Sequence, residues 1–191
     1  MKKIIRKLIS QYNNHRFSKK VRVGKRALFG RTSDIQLQDG SRKNDVFIGD
    51  DVMMLGRVIS QNGGKITLSD KVNIRGETII GAVNCISIGA GTIISNNVTI
   101  MDNNNHPISL SARKKMVAEG WGGGGWLWKH SESKPIKIGE NVWIGQFARI
   151  NKGVVIGDNS IVGANTVVTK DIPANNIVVG NPGKIVREVK R

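Results

Sequence analysis

The chain has 191 residues, of which 39% are hydrophobic and only 5% aromatic, and its formal net charge is +16. This length predicts one domain, and the composition favours a core of aliphatic side chains. The single cysteine, Cys85, excludes an internal disulfide and fits a reducing compartment, and no apolar run is long enough to span a bilayer.

The positive charge is concentrated at the N-terminus, because residues 1–31 hold 11 of the 30 Lys and Arg and no acid. Apolar residues recur there at helical spacing: Ile4, Ile5, Leu8, Ile9 and Tyr12. We therefore predict a basic amphipathic N-terminal cap over 1–20, too short and interrupted for a secretory signal. Three roles stay open: contact with an anionic membrane surface, docking of a polyanionic substrate, or simple coverage of the first structural coil. Charge alone permits nucleic-acid binding, but no reading module accompanies it, so we expect no nucleic-acid partner.

Further along the chain, an aliphatic residue returns every six positions, whereas a helix would repeat at 3.6 and an ordinary strand at two. The clearest set is Ile138, Ile144, Ile150, Ile156, Val162 and Val168. Glycine most often follows (Gly139, Gly145, Gly157, Gly163), and asparagine recurs near the expected corners (Asn141, Asn151, Asn159, Asn165). We expect both residue types to accommodate tight or left-handed corners. A fixed repeat of this kind predicts a parallel β-helix in which three hexads form one triangular coil.

Weaker sets with the same spacing occur upstream: Val23, Phe29 and Ile35; Ile48; Leu68, Ile74 and Ile80; Ile88, Ile94 and Ile100. The repeat is therefore predicted to cover 21–179, with a loop insertion at 102–135 and a C-terminal tail over 180–191. A conventional β-sandwich is the alternative fold, but a sandwich does not require register at six residues.

The insertion at 102–135 is where a rigid repeat scaffold would carry function. It holds His106, Trp121, Trp126 and Trp128. Four glycines separate Trp121 from Trp126. Such a loop could fold over a ligand, or it could pack its tryptophans on a neighbouring coil or subunit.

The order of hexads, "NNNHP", an extruded loop, "IGENVWIG" and "VIGDNSIVGANTVVTKDIPANNIVVGNPGKIVREV" resembles the hexapeptide-repeat acyltransferases. The resemblance is to the galactoside/maltose O-acetyltransferase branch and its relatives that acetylate bacterial surface polysaccharides, and it is strongest over 88–189. It implies an all-β, left-handed parallel β-helix with a short N-terminal helix and an extruded loop, an exception to the usual right-handed crossover. It also implies a homotrimer, with acetyl-CoA in a cleft between adjacent subunits.

The resemblance assigns His106, in its His-Pro setting, as the catalytic base. A sugar hydroxyl is a poor nucleophile until its proton is removed, and neutral imidazole can remove it near pH 7 as the oxygen attacks the thioester. Glu119, Glu132 or a main-chain carbonyl could orient the ring.

The resemblance also implies a set of acetyl-CoA contacts: Trp143, Gln146, Ala164, Thr169, Lys170, Lys184 and Arg187. Trp143 would pack near the thioester arm, and the small Ala164 would let the pantetheine arm pass. The basic residues would meet the phosphates. Gln146 is bulkier than the serine often found at its position, so its contact stays open.

The acceptor is expected to be a saccharide, with Asn84, Trp121, Trp126 and Trp128 as candidate contacts. The basic leader and aromatic loop suit a polymeric or lipid-linked sugar of a capsule, an O-antigen or a precursor. We therefore expect a cytoplasmic O-acetyltransferase, peripheral to the inner face of the membrane if residues 1–20 contact lipid.

Three other functions compete. N-acetylation of an amino sugar, or acetylation of a small xenobiotic, would use the same donor and base. A zinc enzyme of the carbonic anhydrase type needs three histidine ligands, and the chain has only His15, His106 and His130, the first of them in the leader; we expect no metal. A non-catalytic β-helix scaffold would need neither CoA nor His106.

Overall fold

The computed structural model of the chain describes residues 2–190. It has two α-helices, α1 (Lys2–Lys20) and α2 (Leu110–Ala118). The strands are β1 (Arg22–Val23), β2 (Leu28–Phe29), β3 (Asp34–Gln38), β4 (Val46–Ile48), β5 (Met53–Met54), β6 (Arg57–Gln61), β7 (Lys65–Leu68), β8 (Asn73–Ile74), β9 (Ile79–Ala82), β10 (Cys85–Ile88), β11 (Ile93–Ile94), β12 (Thr99–Met101), β13 (Ile136–Ile138), β14 (Trp143–Ile144), β15 (Arg149–Ile150), β16 (Val155–Ile156), β17 (Ile161–Val162), β18 (Val167–Val168), β19 (Asn176–Val179) and β20 (Lys184–Glu188). Met1 and Arg191, which belong to the predicted ranges 1–20 and 180–191, lie outside the described residues, as do the side chains of Lys2, Lys3 and Arg6.

The strands form the three faces of a left-handed parallel β-helix, as the repeat and the resemblance predicted. Face A joins β1, β4, β7, β10, β13 and β16; face B joins β2, β5, β8, β11, β14, β17, β19 and β20; face C joins β3, β6, β9, β12, β15 and β18. From β1 to β18, successive strands go to successive faces, so three strands make one coil. Among the described strands, β20 alone pairs antiparallel, where the chain turns back along β19.

The aliphatic position of each hexad points inward and stacks on its equivalent in the next coil. The paired residues on face B are Phe29, Met54, Ile74, Ile94, Ile144, Val162 and Val178. The same alignment runs along face A from Val23 to Ile156 and along face C from Ile35 to Val168. Full burial of each such side chain contributes roughly 1.5–3 kcal/mol, so the stacked interior is the main source of stability.

The hexad glycines serve close packing between coils, which differs from the role we expected. Gly139, Gly145, Gly157 and Gly163 are absent from the residues with positive φ. Instead, a Cβ on Gly145 would lie 2.6 Å from the backbone nitrogen of Ala164 in the next coil. The glycine is therefore required because a side chain would push two coils apart.

The left-handed conformation falls two residues after each of these glycines. It occurs at Asn141 (52°), Phe147 (60°), Asn159 (58°) and Asn165 (57°). Asparagine tolerates this region, as we predicted for three of these positions. Asn151, predicted in the same way, is not left-handed; Gly153, with φ of 80°, takes that role in its corner.

The second half of α1 covers the first coil. Phe17 is fully buried and packs edge-on against Phe29, with ring centroids 4.9 Å apart. The side-chain amides of Asn13 and Asn14 donate to the carbonyls of Gly30 and Ala27, both at 2.7 Å.

The first half of α1 instead exposes apolar side chains: Ile4, Ile5, Leu8 and Tyr12 are 50–68% exposed. No helix within residues 2–190 has the length and apolar character to cross a membrane.

The packing role of the glycines predicts that Gly145→Ala lowers the free energy of unfolding by about 1–3 kcal/mol, because the added methyl overpacks the contact with Ala164. Urea unfolding followed by circular dichroism measures the change. Gly124→Ala is the matched control, since a Cβ there meets no atom within 4 Å. Equal stabilities for the two variants would contradict the packing role.

Candidate active site

The insertion leaves face C after β12 and returns to face A before β13, at the edge that we call the C–A corner. Its two ends are held together: Asn103 and Ser133 form an antiparallel bridge, and the backbone N–H of Asn104 donates to the Glu132 carbonyl at 3.0 Å. The N–H of Lys134 donates to the Asp102 carbonyl at 2.8 Å. This closed base fixes the direction in which the next residues project.

Asp102 anchors that base to the preceding coil. Its buried carboxylate accepts hydrogen bonds from the backbone N–H groups of Val83 (3.0 Å) and Asn84 (2.8 Å) and from the side-chain amide of Asn103 (3.1 Å). Burial raises the pKa of the Asp102 carboxyl above its usual range, although these hydrogen bonds act in the opposite direction. The anchor places Asn84, a predicted acceptor contact, on the same corner as His106.

His106 projects from a short turn that its neighbours hold. The N–H of Asn105 donates to the Asn103 side chain at 2.8 Å, Asn105 has a left-handed φ of 68°, and the N–H of His106 donates to the Asn104 carbonyl at 2.8 Å. The ring nitrogen Nδ1 is buried and has no hydrogen-bond partner among the described residues. Nε2 lies 3.1 Å from the side-chain amide nitrogen of Asn105 in an exposed contact. Of the two ring nitrogens, Nε2 is therefore the one that an acceptor hydroxyl would reach, in place of the Asn105 amide.

Neither predicted orienting carboxylate reaches His106. Glu119 accepts a hydrogen bond from the N–H of Gly125 at 2.6 Å. The Glu132 carboxylate lies 3.7 Å from the amine of Lys152.

Two of the loop tryptophans cluster beside the histidine. The rings of Trp126 and His106 meet edge to face, with centroids 5.5 Å apart, and the Trp126 indole N–H donates to the Gly120 carbonyl at 2.8 Å. Trp121 lies 4.7 Å from Trp126 and is 89% exposed. Trp126 thus limits the rotation of the imidazole, while Trp121 presents a free aromatic surface.

The third tryptophan anchors the loop to face C. The N–H of Trp128 donates to the Gln61 side chain at 2.5 Å, and a Cβ on Gly81 would lie 3.0 Å from the Trp128 ring. The neighbouring Lys129 pairs with Asp39 at 3.2 Å. Of the three tryptophans predicted to contact an acceptor, Trp121 is therefore the most available.

Most of the predicted CoA contacts lie away from His106. Trp143 points outward from face B and is 52% exposed. Gln146 and Ala164 are exposed at the edge between faces B and C, the B–C corner, and the Asn165 N–H donates to the Gln146 carbonyl at 2.9 Å. Lys184 and Arg187 are exposed on β20, opposite Val179 and Ile177.

Thr169 and Lys170 lie at the C–A corner, on the same edge as His106 and two coils beyond it. Face C separates this edge from the B–C corner by roughly 17 Å, the span of the chain from Gln146 to Asn151 at about 3.3 Å per residue. One chain therefore divides the predicted site residues between two edges of the prism.

Three structural features of the site were not among our predictions. Asp102 and Asn105 hold the turn that presents His106, and the polar run "DNNN" before His-Pro was the available signal. Phe147, 53% exposed beside Gln146, adopts φ of 60°. A bulky residue in this region is strained, and such strain is concentrated at functional sites.

Comparison with known proteins agrees with this fold. Residues 135–170 match the family described as bacterial transferase hexapeptide (six repeats). This chain carries the hexapeptide repeat of bacterial transferases. The predicted resemblance to the hexapeptide-repeat acyltransferases is thereby confirmed.

Two curated relatives are similar to about half of this chain. The galactoside O-acetyltransferase of Escherichia coli K12 is 41% identical over 104 residues, which are 54% of this chain and 44% of the relative. A putative acetyltransferase of Schizosaccharomyces pombe is 36% identical over 105 residues, 55% of this chain and 44% of the relative. The aligned part thus spans less than half the length of these relatives.

Solved structures extend the likeness over most of the chain. AntD, an N-acyltransferase from Bacillus cereus, solved with dTDP-4-amino-4,6-dideoxyglucose and coenzyme A, has a TM-score of 0.71 at 20% identity and covers 94% of this hexapeptide-repeat chain and 90% of its own. A maltose O-acetyltransferase from Clostridium difficile 630 has a TM-score of 0.55 at 25% identity, covering 92% of this chain and 73% of its own. The AntD likeness supports the fold alone.

The Asp102 anchor predicts that Asp102→Ala lowers the free energy of unfolding by about 2–4 kcal/mol, because two buried backbone N–H groups lose their acceptor. Thermal or urea unfolding measures the loss. Asp171→Ala is the control: its exposed carboxylate accepts one backbone hydrogen bond, from Val155 at 2.8 Å. A loss no greater than that of the control would show that Asp102 does not hold the loop base.

Proposed function

We propose that this chain is an acyltransferase that moves the acetyl group of acetyl-CoA to a hydroxyl of a bacterial surface saccharide or its precursor, with His106 as general base. The observation that carries the proposal is the fixed presentation of His106. Its turn is held by hydrogen bonds, Nδ1 is buried, and Nε2 lies in an exposed contact with the Asn105 side chain. The names of the relatives, a galactoside O-acetyltransferase among them, support the reaction class.

The proposed reaction is a direct transfer. Nε2 of neutral His106 takes the proton of the acceptor hydroxyl while the oxygen forms a bond to the thioester carbonyl carbon. The tetrahedral intermediate collapses, the carbon–sulfur bond breaks, and the imidazolium returns the proton to the CoA thiolate. Trp126 keeps the ring in place through its edge-to-face contact, so that little orientational freedom is lost in the transition state.

We place the site between two copies of the chain, because a single copy leaves the proposed residues on separate edges. The C–A corner of one copy would contribute His106, Asn84, Thr169 and Lys170. The facing edge of the next copy would contribute Trp143, Gln146, Ala164, Lys184 and Arg187. A homotrimer closes such an arrangement, because each copy then offers one edge of each kind.

An apolar stripe on face B supports this association. The outward residues that align along the face are Leu28, Met53, Asn73, Ile93, Trp143, Ile161 and Ile177. Ile93 and Trp143 are 48% and 52% exposed in the single chain. Asn73 divides the row, and the part from Ile93 to Ile177 is apolar without interruption. An apolar row of this kind marks an interaction surface, and burial of this part against a second copy would remove it from water.

The acceptor is proposed to be a saccharide because an exposed aromatic face suits stacking on a sugar ring. Trp121 offers such a face beside Trp126 and His106. N-acylation of an amino sugar is the second candidate, because AntD, which shares this fold, is an N-acyltransferase. Both reactions use the same base and donor, so transfer to matched hydroxyl and amino sugars separates them.

Contact with the inner face of the cytoplasmic membrane stays a prediction. The exposed apolar side chains of Ile4, Ile5, Leu8 and Tyr12 support it, since they share α1 with a basic sequence.

We expect His106→Ala to lower kcat by about 10²–10⁴-fold, because the acceptor hydroxyl loses its base, and to leave CoA affinity unchanged. Release of free CoA thiol in the presence of a saccharide panel measures turnover, and calorimetry measures CoA binding. His130→Ala is the matched control, an exposed histidine of the same loop. Turnover equal to that of the control would remove the base assignment.

A site shared between copies predicts complementation. His106→Ala and Ala164→Trp each inactivate, the second because a large side chain blocks the proposed pantetheine path. When the two variants are unfolded and refolded together, about a quarter of the sites should combine intact residues from both copies. Activity should therefore return on mixing, as measured by the same thiol assay. A site within one chain would recover nothing, because every chain carries one lesion.

A further inference from the structure

A groove of about 1560 Å³ lies between α1 and the first strands of face B. One wall is α1 from Lys7 to Asn14, and the floor is the outer surface of β2 and β5. Beyond the floor, the groove reaches the B–C corner. The residues at that end are Leu55, Arg75, Gly76 and Asn96.

The groove is strongly basic. Lys7, Arg31 and Arg75 line it and are exposed, and none of them forms an ion pair with a described residue. Arg26, at the rim, is already neutralised by Asp51, whose two carboxylate oxygens both lie 2.6 Å from the guanidinium. No Asp or Glu is among the described lining residues. One guanidinium group can donate two parallel hydrogen bonds to the oxygens of a phosphate. An anionic, phosphate-bearing ligand therefore fits these walls.

The floor of the groove is apolar. Leu28 is 54% exposed, and Met53 and Leu55 are half-buried beside it. A ligand that filled the groove would therefore carry an apolar or planar group next to its phosphates. Inorganic phosphate alone would leave this surface uncovered.

The far end of the groove adjoins the edge that we propose for the donor. Backbone hydrogen bonds connect the corners of successive coils: Asn97 to Gly76 at 3.1 Å, Phe147 to Asn96 at 3.2 Å, and Asn165 to Gln146 at 2.9 Å. Asn96 lines the groove, and Gln146 lies at the same corner one coil further, which is about 5 Å away. His106 follows the strand of the coil that contains Asn96. In a trimer with parallel axes, His106 of a neighbouring copy would meet this edge between the groove and the proposed acetyl-CoA site.

We infer that the groove binds the diphosphate of a diphosphate-linked saccharide, the acceptor of the proposed reaction. The inference rests on the proposed function for the order of the sites along the edge, but the groove and its charge are independent of it. Arg31 and Arg75 hold the diphosphate, Leu28 and Met53 contact the carrier, and the sugar extends toward His106 of the neighbouring copy. The diphosphate is common to nucleoside and polyprenyl carriers.

Calorimetric titration of the full chain with inorganic pyrophosphate and with uridine diphosphate tests the site. Saturating CoA is present throughout, so that the diphosphate of CoA cannot account for binding. Arg31→Gln and Arg75→Gln should each weaken binding about tenfold, and the double variant about a hundredfold, because each removes one charge-assisted contact. Arg22→Gln is the matched control, since it removes the same charge from the exposed face A.

The probes also separate the two carriers. Tighter binding of uridine diphosphate than of pyrophosphate supports a nucleoside carrier. Co-sedimentation with phosphatidylcholine vesicles only when they contain a polyprenyl diphosphate, lost in the double variant, supports a lipid carrier.

Absence of saturable binding to every probe would overturn the inference, and so would equal losses for Arg22→Gln and the groove variants. Absence of diphosphate binding, with His106-dependent transfer to a phosphate-free sugar retained, would overturn the inference and leave the proposed function standing. Diphosphate binding by a protein that does not bind CoA would support the inference and overturn the proposed function.

Discussion

The vertical stacking of inward aliphatic side chains is the interaction on which the rest of the structure depends. Each coil has too few residues to bury its own apolar surface, so the interior exists only because identical positions align from one coil to the next, as Ile74, Ile94 and Ile144 do. Alignment at this spacing requires the coils to approach closely, which is why the hexad glycines are needed. The prism is therefore stiff along its axis, and a group fixed to one corner has a defined height and direction.

The insertion uses that stiffness. A long loop would ordinarily sample many conformations, but both of its ends are joined at one corner and Trp128 fastens it again on face C. His106 lies only four residues from the buried Asp102, so bonds to the scaffold fix its position, while contacts within the loop hold its turn and its ring. The exposed Trp121 lies further from both anchors, where the chain has more freedom to adapt to a ligand.

The sequence predicted the coil architecture well because the hexad repeat is a direct consequence of packing. One inward residue per strand leaves a period of six that no helix or sandwich requires. The left-handed role expected for the hexad glycines was wrong for a related reason. The repeat shows that a small residue is needed, but a sequence does not show whether a positive φ or the close approach of the next coil requires it. Arg31 and Arg75 could not be selected either, because their roles arise from side chains far apart in the chain that meet in a groove.

The division of the proposed site between two edges separates the forces that maintain the fold from those that maintain activity. The interior stack is complete in one chain, so the fold does not depend on the outward row of Ile93, Trp143 and Ile161. Under the proposal, that row brings the two edges together across a subunit boundary, and His106 gains its donor only there. Substitutions on face B should then act on catalysis through association, while substitutions inside the prism act through stability. The part of α1 from Lys7 to Asn14 bears on activity in a third way, through ligand binding, because it forms one wall of a groove that opens on the same edge.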